Sequence, residues 1–390
     1  MIRKGIFWLH LICGIAAGVV ILIMSVTGVI LTYERQILAW EDRAYFAEPA
    51  PEQSKLAIET LVESARSEDF TPESVVVSSD PRAPVVLRQG RSQSVYLNPY
   101  TGQEYATHSP TLDNFFSAVT GWHRWFNVSG EGRANARAIT GAANLMFLFL
   151  IISGIYLWLP AVYRWSTMRL RLWFHPNARS GQARDFNWHH VFGFWSAIPL
   201  AVVVATATVF NYSWANNLVY RLAGEEPPQR GQSAPVEQDV DALFVPAQAE
   251  RMALDALLLR AQEQSQDWQT ISVSLPREDA LQVDFSIDEG DGGQPQKRHT
   301  LQLNAYTGDT VAWMPFNSQS AGRQARSWVR FLHTGEALGL LGQTIAGLVS
   351  FLSVLMVWTG FALALRRFSR WLQRLRRNRS SDSDFASARD

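Results

Sequence analysis

Cysteine is almost absent from this chain: its 390 residues contain one, Cys13, inside a long apolar run. One thiol excludes a disulfide framework and a cysteine-built metal site within a single chain. Cys13 reads as a packing residue. Net charge is absent too, 35 lysines and arginines standing against 35 acidic residues. Nothing in that balance points to a nucleic-acid partner. Carboxylates are missing from the four longest apolar stretches, about 6–31, 138–161, 187–212 and 338–365. A dinucleotide fingerprint is lacking as well, since Gly130-Glu131-Gly132 follows no apolar strand. A built-in NAD or flavin domain is therefore not expected.

What is present is an alternation. A mean hydropathy of −0.06 averages long apolar runs with polar stretches, the pattern of a polytopic α-helical membrane protein with soluble inserts. Each of the four runs is long enough to span a bilayer. The first follows a basic Met1-Ile2-Arg3-Lys4 start but is too long for a signal-peptide core, so an uncleaved signal-anchor is expected. Pro199 is expected to kink the third. Basic residues cluster at one set of helix ends: Arg3 and Lys4, then Arg164, Arg169, Arg171, Arg179 and Arg184, then Arg366, Arg367, Arg370, Arg374, Arg376 and Arg377. By the positive-inside rule both termini are cytoplasmic. The inserts then lie outside, in the periplasm if the membrane is a Gram-negative inner membrane.

An internal two-fold repeat organises the chain. His10, Gly14 and Thr27 recur as His189, Gly193 and Thr206, with 189 − 10, 193 − 14 and 206 − 27 all equal to 179. The segments are a first spanning helix (1–34), a soluble module (35–120), an interfacial stretch with the second helix (121–165), a basic cytoplasmic loop (166–186), the third helix (187–212), a second module (213–325), an interfacial stretch with the fourth helix (326–366) and a basic, then polar, tail (367–390). Each module reads as α+β. The first has a helix over Lys55–Ser67 and strands at Ser74–Val77, Pro84–Leu87 and Ser94–Leu97. The second has a helix over Pro246–Gln264 and strands at Gln269–Leu275, Ala280–Ile287 and Thr300–Leu303. Both end in one turn, Leu97-Asn98-Pro99-Tyr100-Thr101-Gly102 and Leu303-Asn304-Ala305-Tyr306-Thr307-Gly308, where glycine suits a positive φ.

Position sorts the eight histidines. His108, His175 and His299 fall in soluble or loop segments and read as surface residues. His10, His123, His189 and His333 sit in or against the membrane, where an ionisable group marks function by default. His10 and His189 lie near the cytoplasmic face. His123 and His333, in the aromatic stretches Trp122–Phe126 and Trp328–His333, lie near the outer one. A core of about 30 Å separates them, so the arrangement is two sites of two imidazoles. Two histidines are a poor zinc site, which takes three or four protein ligands, whereas haem iron accepts one imidazole on each side of the ring. Two haems b are expected, with Gly14 and Gly193 making room and Arg124 and Arg330 pairing with propionates. The same features also suit plain roles, the glycines in close helix packing and the arginines as headgroup anchors. Whether His189 or His190 is the ligand stays open, the repeat spacing favouring His189.

The His-x3-Gly…Thr-Gly pattern at 10–28, its echo from 189, the two Asn-x-Tyr-Thr-Gly turns and the stretches 122–125 and 331–333 resemble the PepSY-associated transmembrane proteins, often described as iron-regulated inner-membrane proteins. Ala207 departs from that pattern where the first copy has Gly28. Some members are di-haem b-type reductases that release iron from ferric siderophores. The resemblance implies His10, His189, His123 and His333 as haem ligands, ferric siderophore as substrate and PepSY modules in the periplasm. A quinol or a partner protein would donate electrons, and accessory membrane subunits are possible partners. The alternative from another class is a membrane-tethered regulatory protein whose modules bind a peptidase or peptide, with the histidines as packing residues. A transporter is a third reading, weakened by the absence of intramembrane carboxylates.

Overall fold

The computed structural model describes residues 1–48, 53–90, 93–105, 110–160, 163–228, 238–277 and 279–387, apart from the side chains of Tyr45, Pro110 and 376–387. His108 lies outside these residues. The chain runs α1 (Ile2–Leu31), α2 (Glu34–Asp42), α3 (Ile58–Ala65), β1 (Ser74–Ser78), β2 (Val85–Gln89), β3 (Gln93–Leu97), α4 (Pro110–Trp125), α5 (Gly132–Trp158) and α6 (Trp165–Leu172). It continues through α7 (Gly181–Asn211), α8 (Ser213–Leu222), α9 (Leu254–Gln264), β4 (Thr270–Ser274), β5 (Gln282–Asp288), β6 (Arg298–Asn304), β7 (Thr310–Met314), α10 (Ala321–Thr334) and α11 (Gly339–Ser387).

Four of these helices, α1, α5, α7 and α11, carry stretches long and apolar enough to cross a membrane. They form a bundle in which α1 and α7 each pack against α5 and α11, so α1 and α7 stand on one diagonal. The bundle is apolar outside, with Ile152 63% and Ile198 79% exposed, and its interior holds buried hydroxyls and amides. Ser25 Oγ lies 2.9 Å from Ser353 Oγ, and Asn144 Nδ2 donates to Thr208 Oγ1 at 2.9 Å. That inversion suits lipid on the outside, where small and hydroxylated residues let helices approach and bond across the interior. Helix α7 continues through Pro199. Helix α11 runs well past the expected end at 365, because 366–387 has no Gly or Pro and contains many good helix formers.

The two inserts between the apolar helices are joined into one body. Strand β1 pairs antiparallel with β4, with Val75 opposite Val273, Val76 opposite Ser272 and Val77 opposite Ile271. The result is a single antiparallel sheet in the order β3-β2-β1-β4-β5-β6-β7. Alternate residues of these strands point to one face, where Val75, Val77, Ile271 and Val273 share a core with Ile58 and Leu61 of α3 and Leu257 and Ala261 of α9. The helices cap one another: Ile58 N donates to Asp255 Oδ2 at 3.0 Å, and Leu254 N donates to Glu59 Oε1. Carboxylates at helix starts satisfy amides that have no intrahelical partner.

Both expected turns form. Asn98 Oδ1 accepts from Tyr100 N and Thr101 N, Asn304 Oδ1 accepts from Tyr306 N and Thr307 N, and Gly102 and Gly308 have φ of 71° and 74°. The module helices are shorter than their periodicity implied. Helix α9 begins only at Leu254, because Met252 N donates to Ala305 O and draws the preceding residues into an extended path. Strand β7 was not anticipated from the sequence.

Candidate functional site

Helices α4 and α10, read from the sequence only as aromatic interfacial stretches, lie across one end of the bundle. Helix α4 packs on α1 and α5, and α10 packs on α7, α8 and α11. They deliver His123 and His333 to the same place, with ring centroids 6.3 Å apart. His10 and His189 lie at the other end. Along α1, His10 and Thr27 are 27 − 10 = 17 residues apart, about 25 Å at the helical rise. The same count, 206 − 189 = 17, separates His189 from Thr206 on α7. The four histidines therefore form two pairs at two depths.

Each of the four imidazoles meets a hydroxyl on a different helix. His10 Nδ1 is 2.8 Å from Ser153 Oγ, His189 Nδ1 is 3.0 Å from Thr359 Oγ1, and His123 Nδ1 is 3.0 Å from Thr27 Oγ1. His333 Nδ1 is 3.3 Å from Thr206 Oγ1 and 2.9 Å from Val203 O. Every one of those hydroxyls also donates its proton back along its own helix. Thr27 donates to Ile23 O, Ser153 to Phe149 O and Thr206 to Val202 O, each at 2.7 Å, and Thr359 donates to Leu355 O at 2.9 Å. A hydroxyl has one proton. Spent on a carbonyl, it leaves only an accepting lone pair for the histidine. With the hydroxyl protons spent on carbonyls, the network fits the proton on Nδ1 in all four rings and leaves each Nε2 an unprotonated lone pair.

The residue after each hydroxyl is small: Gly28, Gly154, Ala207 and Gly360. A methyl group on Gly28 would stand 3.5 Å from His123 Cε1, one on Gly154 would stand 3.5 Å from His10 Cε1, and one on Gly360 would stand 3.6 Å from His189 Cε1. The glycines seat the imidazole edges. Gly14 and Gly193 lie one turn along from His10 and His189, and methyl groups there would meet Leu150 at 3.9 Å and Met356 at 3.6 Å, on the neighbouring helices. Ser153-Gly154 and Thr359-Gly360 went unnoticed in the sequence, although 359 − 153 = 206 repeats the interval 304 − 98 between the two turns.

His190 takes another course. Its Nδ1 is 2.8 Å from Phe186 O of its own helix and its ring lies against Phe186 at 4.1 Å. His189 alone reaches across to α11. His175 joins the α6–α7 loop through its backbone, its N donating to Asn187 Oδ1. His299, expected at the surface, has a side chain only 12% exposed, because the sheet packs it beside Trp313 and Glu289. Among the described residues, no three of His, Cys, Asp and Glu gather as a metal-holding group.

Beside His123 the chain turns through Phe126 and Asn127, both at φ 54°, a left-handed path that is costly for residues with side chains. It folds Trp125 back against the start of α5, where Arg133 stacks on the indole at 3.9 Å and Arg124 at 5.0 Å. Thr140 Oγ1 of α5 donates to Arg124 O at 2.9 Å and fixes that corner. Burial holds the Arg124 guanidinium below its ordinary range, and the charges of Arg137, Arg133 and Arg330 push the same way. Next to His333, Glu336 is buried, accepts from Thr334 Oγ1 at 2.9 Å and pairs with Arg35 of α2 at 2.7 Å.

The family described as the PepSY-associated TM region matches residues 7–242 and 238–387, nearly the whole length. The chain belongs to this family. It is a PepSY-associated membrane protein with four helices long and apolar enough to span and a separate antiparallel sheet. No curated protein matches it closely enough to count as a relative.

Proposed function

We propose that this PepSY-associated protein is a di-haem b electron carrier that reduces a ferric siderophore outside the inner membrane. One observation carries the reading: four imidazoles in two pairs, each with Nδ1 occupied by a hydroxyl on another helix and Nε2 left free. That is the second-sphere arrangement of metal-bound histidine, where the outer nitrogen's partner fixes ring orientation and tautomer. The donor set fits haem. Two neutral imidazoles per site would be the protein ligands that haem iron takes, and a third protein ligand for zinc is absent from the described residues.

His10 and His189 would hold one haem, and His123 and His333 the other. Haem supplies one-electron chemistry when bound. The chain's own residues hold and orient the imidazoles and place guanidinium groups at the His123 end. Reduction loosens an oxygen-donor chelate because such donors suit hard Fe(III) better than Fe(II). The electrons come from a quinol or a partner protein. In this reading the two halves are copies of one unit, the sheet is periplasmic, and the basic ends are cytoplasmic.

An absorption spectrum of the purified protein, oxidised and then dithionite-reduced, tests the cofactor, with haem counted per chain. Two low-spin b-type haems are expected, and His10→Ala or His189→Ala should remove one and leave the other. A colourless protein from haem-replete cells would overturn the reading. Orientation is checked with Cys13→Ser and single new cysteines. A membrane-impermeant maleimide should label the sheet from outside the inner membrane and spare 366–375.

A further inference from the structure

Four arginines crowd the His123 end of the bundle: Arg124 on α4, Arg133 and Arg137 on α5, and Arg330 on α10. Arg124 adjoins His123, Arg330 lies three residues before His333, and both serve the cofactor in the reading above. Arg133 and Arg137 have no such role. They are one turn apart on α5, both exposed, and none of the four arginines forms an ion pair among the described residues. Uncompensated guanidinium groups held close together repel one another, and an anion between them relieves that cost. The start of α5 adds amides without intrahelical partners and the positive end of its dipole.

Arg137 lines a shallow cleft, and Arg133 lies one turn before it on α5. A pocket of about 250 Å³ lies between α5 and the end of α7, lined by Ala134, Arg137, Ala138, Gly141, Asn211 and Tyr212. Arg137 Nη2 donates to Phe210 O at 2.7 Å, which holds the side chain at the cleft and leaves its other N–H groups available. Phe210 in turn meets the His333 ring edge-on at 5.5 Å. Arg133, one turn before Arg137 on the same helix, is held by the face of Trp125. The cleft thus lies one aromatic ring away from the outer pair of histidines, and its lining contains no acidic residue.

We propose that the cleft beside Arg137, with Arg133 one turn away on α5, docks an anionic iron chelate, one whose donors are carboxylates or catecholates. This rests on the ferric-chelate reading and narrows it by charge: a cationic or neutral trihydroxamate complex gains nothing from these arginines. One electron per ferric ion, originating from the quinol or partner protein, converts Fe(III) to Fe(II) at this end of the bundle. The chelate's negative charge stays with the arginines.

Binding is measured with gallium(III) citrate, which imitates the ferric complex and is not reduced, using intact protein in a detergent with neutral headgroups. Saturable, salt-sensitive binding is expected. It should weaken roughly tenfold in the double variant Arg133→Gln, Arg137→Gln, the scale of losing one charge-assisted hydrogen bond at an exposed site. A gallium trihydroxamate should bind the two proteins alike. The Lys variants should recover most of the citrate binding, and equal weakness in the Lys and Gln variants would show a structural effect and overturn the proposal. Citrate binding unchanged in the Gln variant would overturn it too. So would arginines that serve lipid phosphate instead, seen as no citrate binding by the wild type together with loss of co-purified phosphatidylglycerol in the Gln variant. Gallium binding needs neither haem nor electron transfer. A protein that binds gallium citrate but carries no haem would therefore refute the electron-carrier reading alone.

Discussion

Thr27, Ser153, Thr206 and Thr359 each accept a hydrogen bond from a histidine more than 90 positions away in sequence. Removing such a partner leaves the ring free to turn and lowers its basicity, at a cost of about 10- to 100-fold in metal affinity. Ser153→Ala and Thr359→Val should therefore keep their haem but release it faster to a haem scavenger, with a raised midpoint potential. Unchanged release and potential would show these hydroxyls to be mere packing. The glycines predict a contrast. Gly154→Val puts a branched side chain where a single methyl already sits 3.5 Å from His10 Cε1, so it should lose the His10 haem and retain the other. Gly14→Ala meets only Leu150 at 3.9 Å and should keep both haems, which difference spectra would show. The histidines were legible in the sequence because an ionisable ring in an apolar run is expensive. Their hydroxyl partners were not, because Ser and Thr are common within spans and only tertiary contact distinguishes these four.

At the scale of elements, the Arg35–Glu336 pair ties α2 to the corner between α10 and α11, one turn from His333. Glu336 is buried, with its side chain 8% exposed against 40% for Arg35, so the two partners are not equivalent. Arg35→Ala removes the cation from a buried carboxylate and leaves it the Thr334 hydroxyl. After allowance for solvent around Arg35, a loss of about 1–2 kcal/mol is expected. Glu336→Gln keeps the shape and the Thr334 contact and should cost less. Thermal unfolding of the two variants decides it, and a larger loss in Glu336→Gln would refute the ranking. The apolar runs disclosed the spanning helices because each is long and uniform. Helices α4 and α10 were seen only as aromatic stretches, because their amphipathic faces are built for one end of a bundle that the local sequence does not describe.

On the scale of the molecule, the sheet unites two inserts across the β1–β4 seam, which lies in its interior while β3 and β7 form the edges. Amides of β1 and β4 paired across that seam, such as those around Val76 and Ser272, should resist hydrogen exchange most, and β3 and β7 least. Exchange at the seam as fast as at the edges would mean two modules that merely touch. The intervals of 179 and 206 residues, the four apolar runs, the histidines and the Asn-x-Tyr-Thr-Gly turns were all determined by sequence alone, because helix rise, strand alternation and turn geometry are local. Tertiary structure decided which helices are neighbours, which nitrogen of each histidine is free, how His189 differs from His190, and that two inserts make one sheet. Those outcomes depend on contacts between groups from 96 to 328 residues apart, and such contacts follow from packing, which no local spacing encodes.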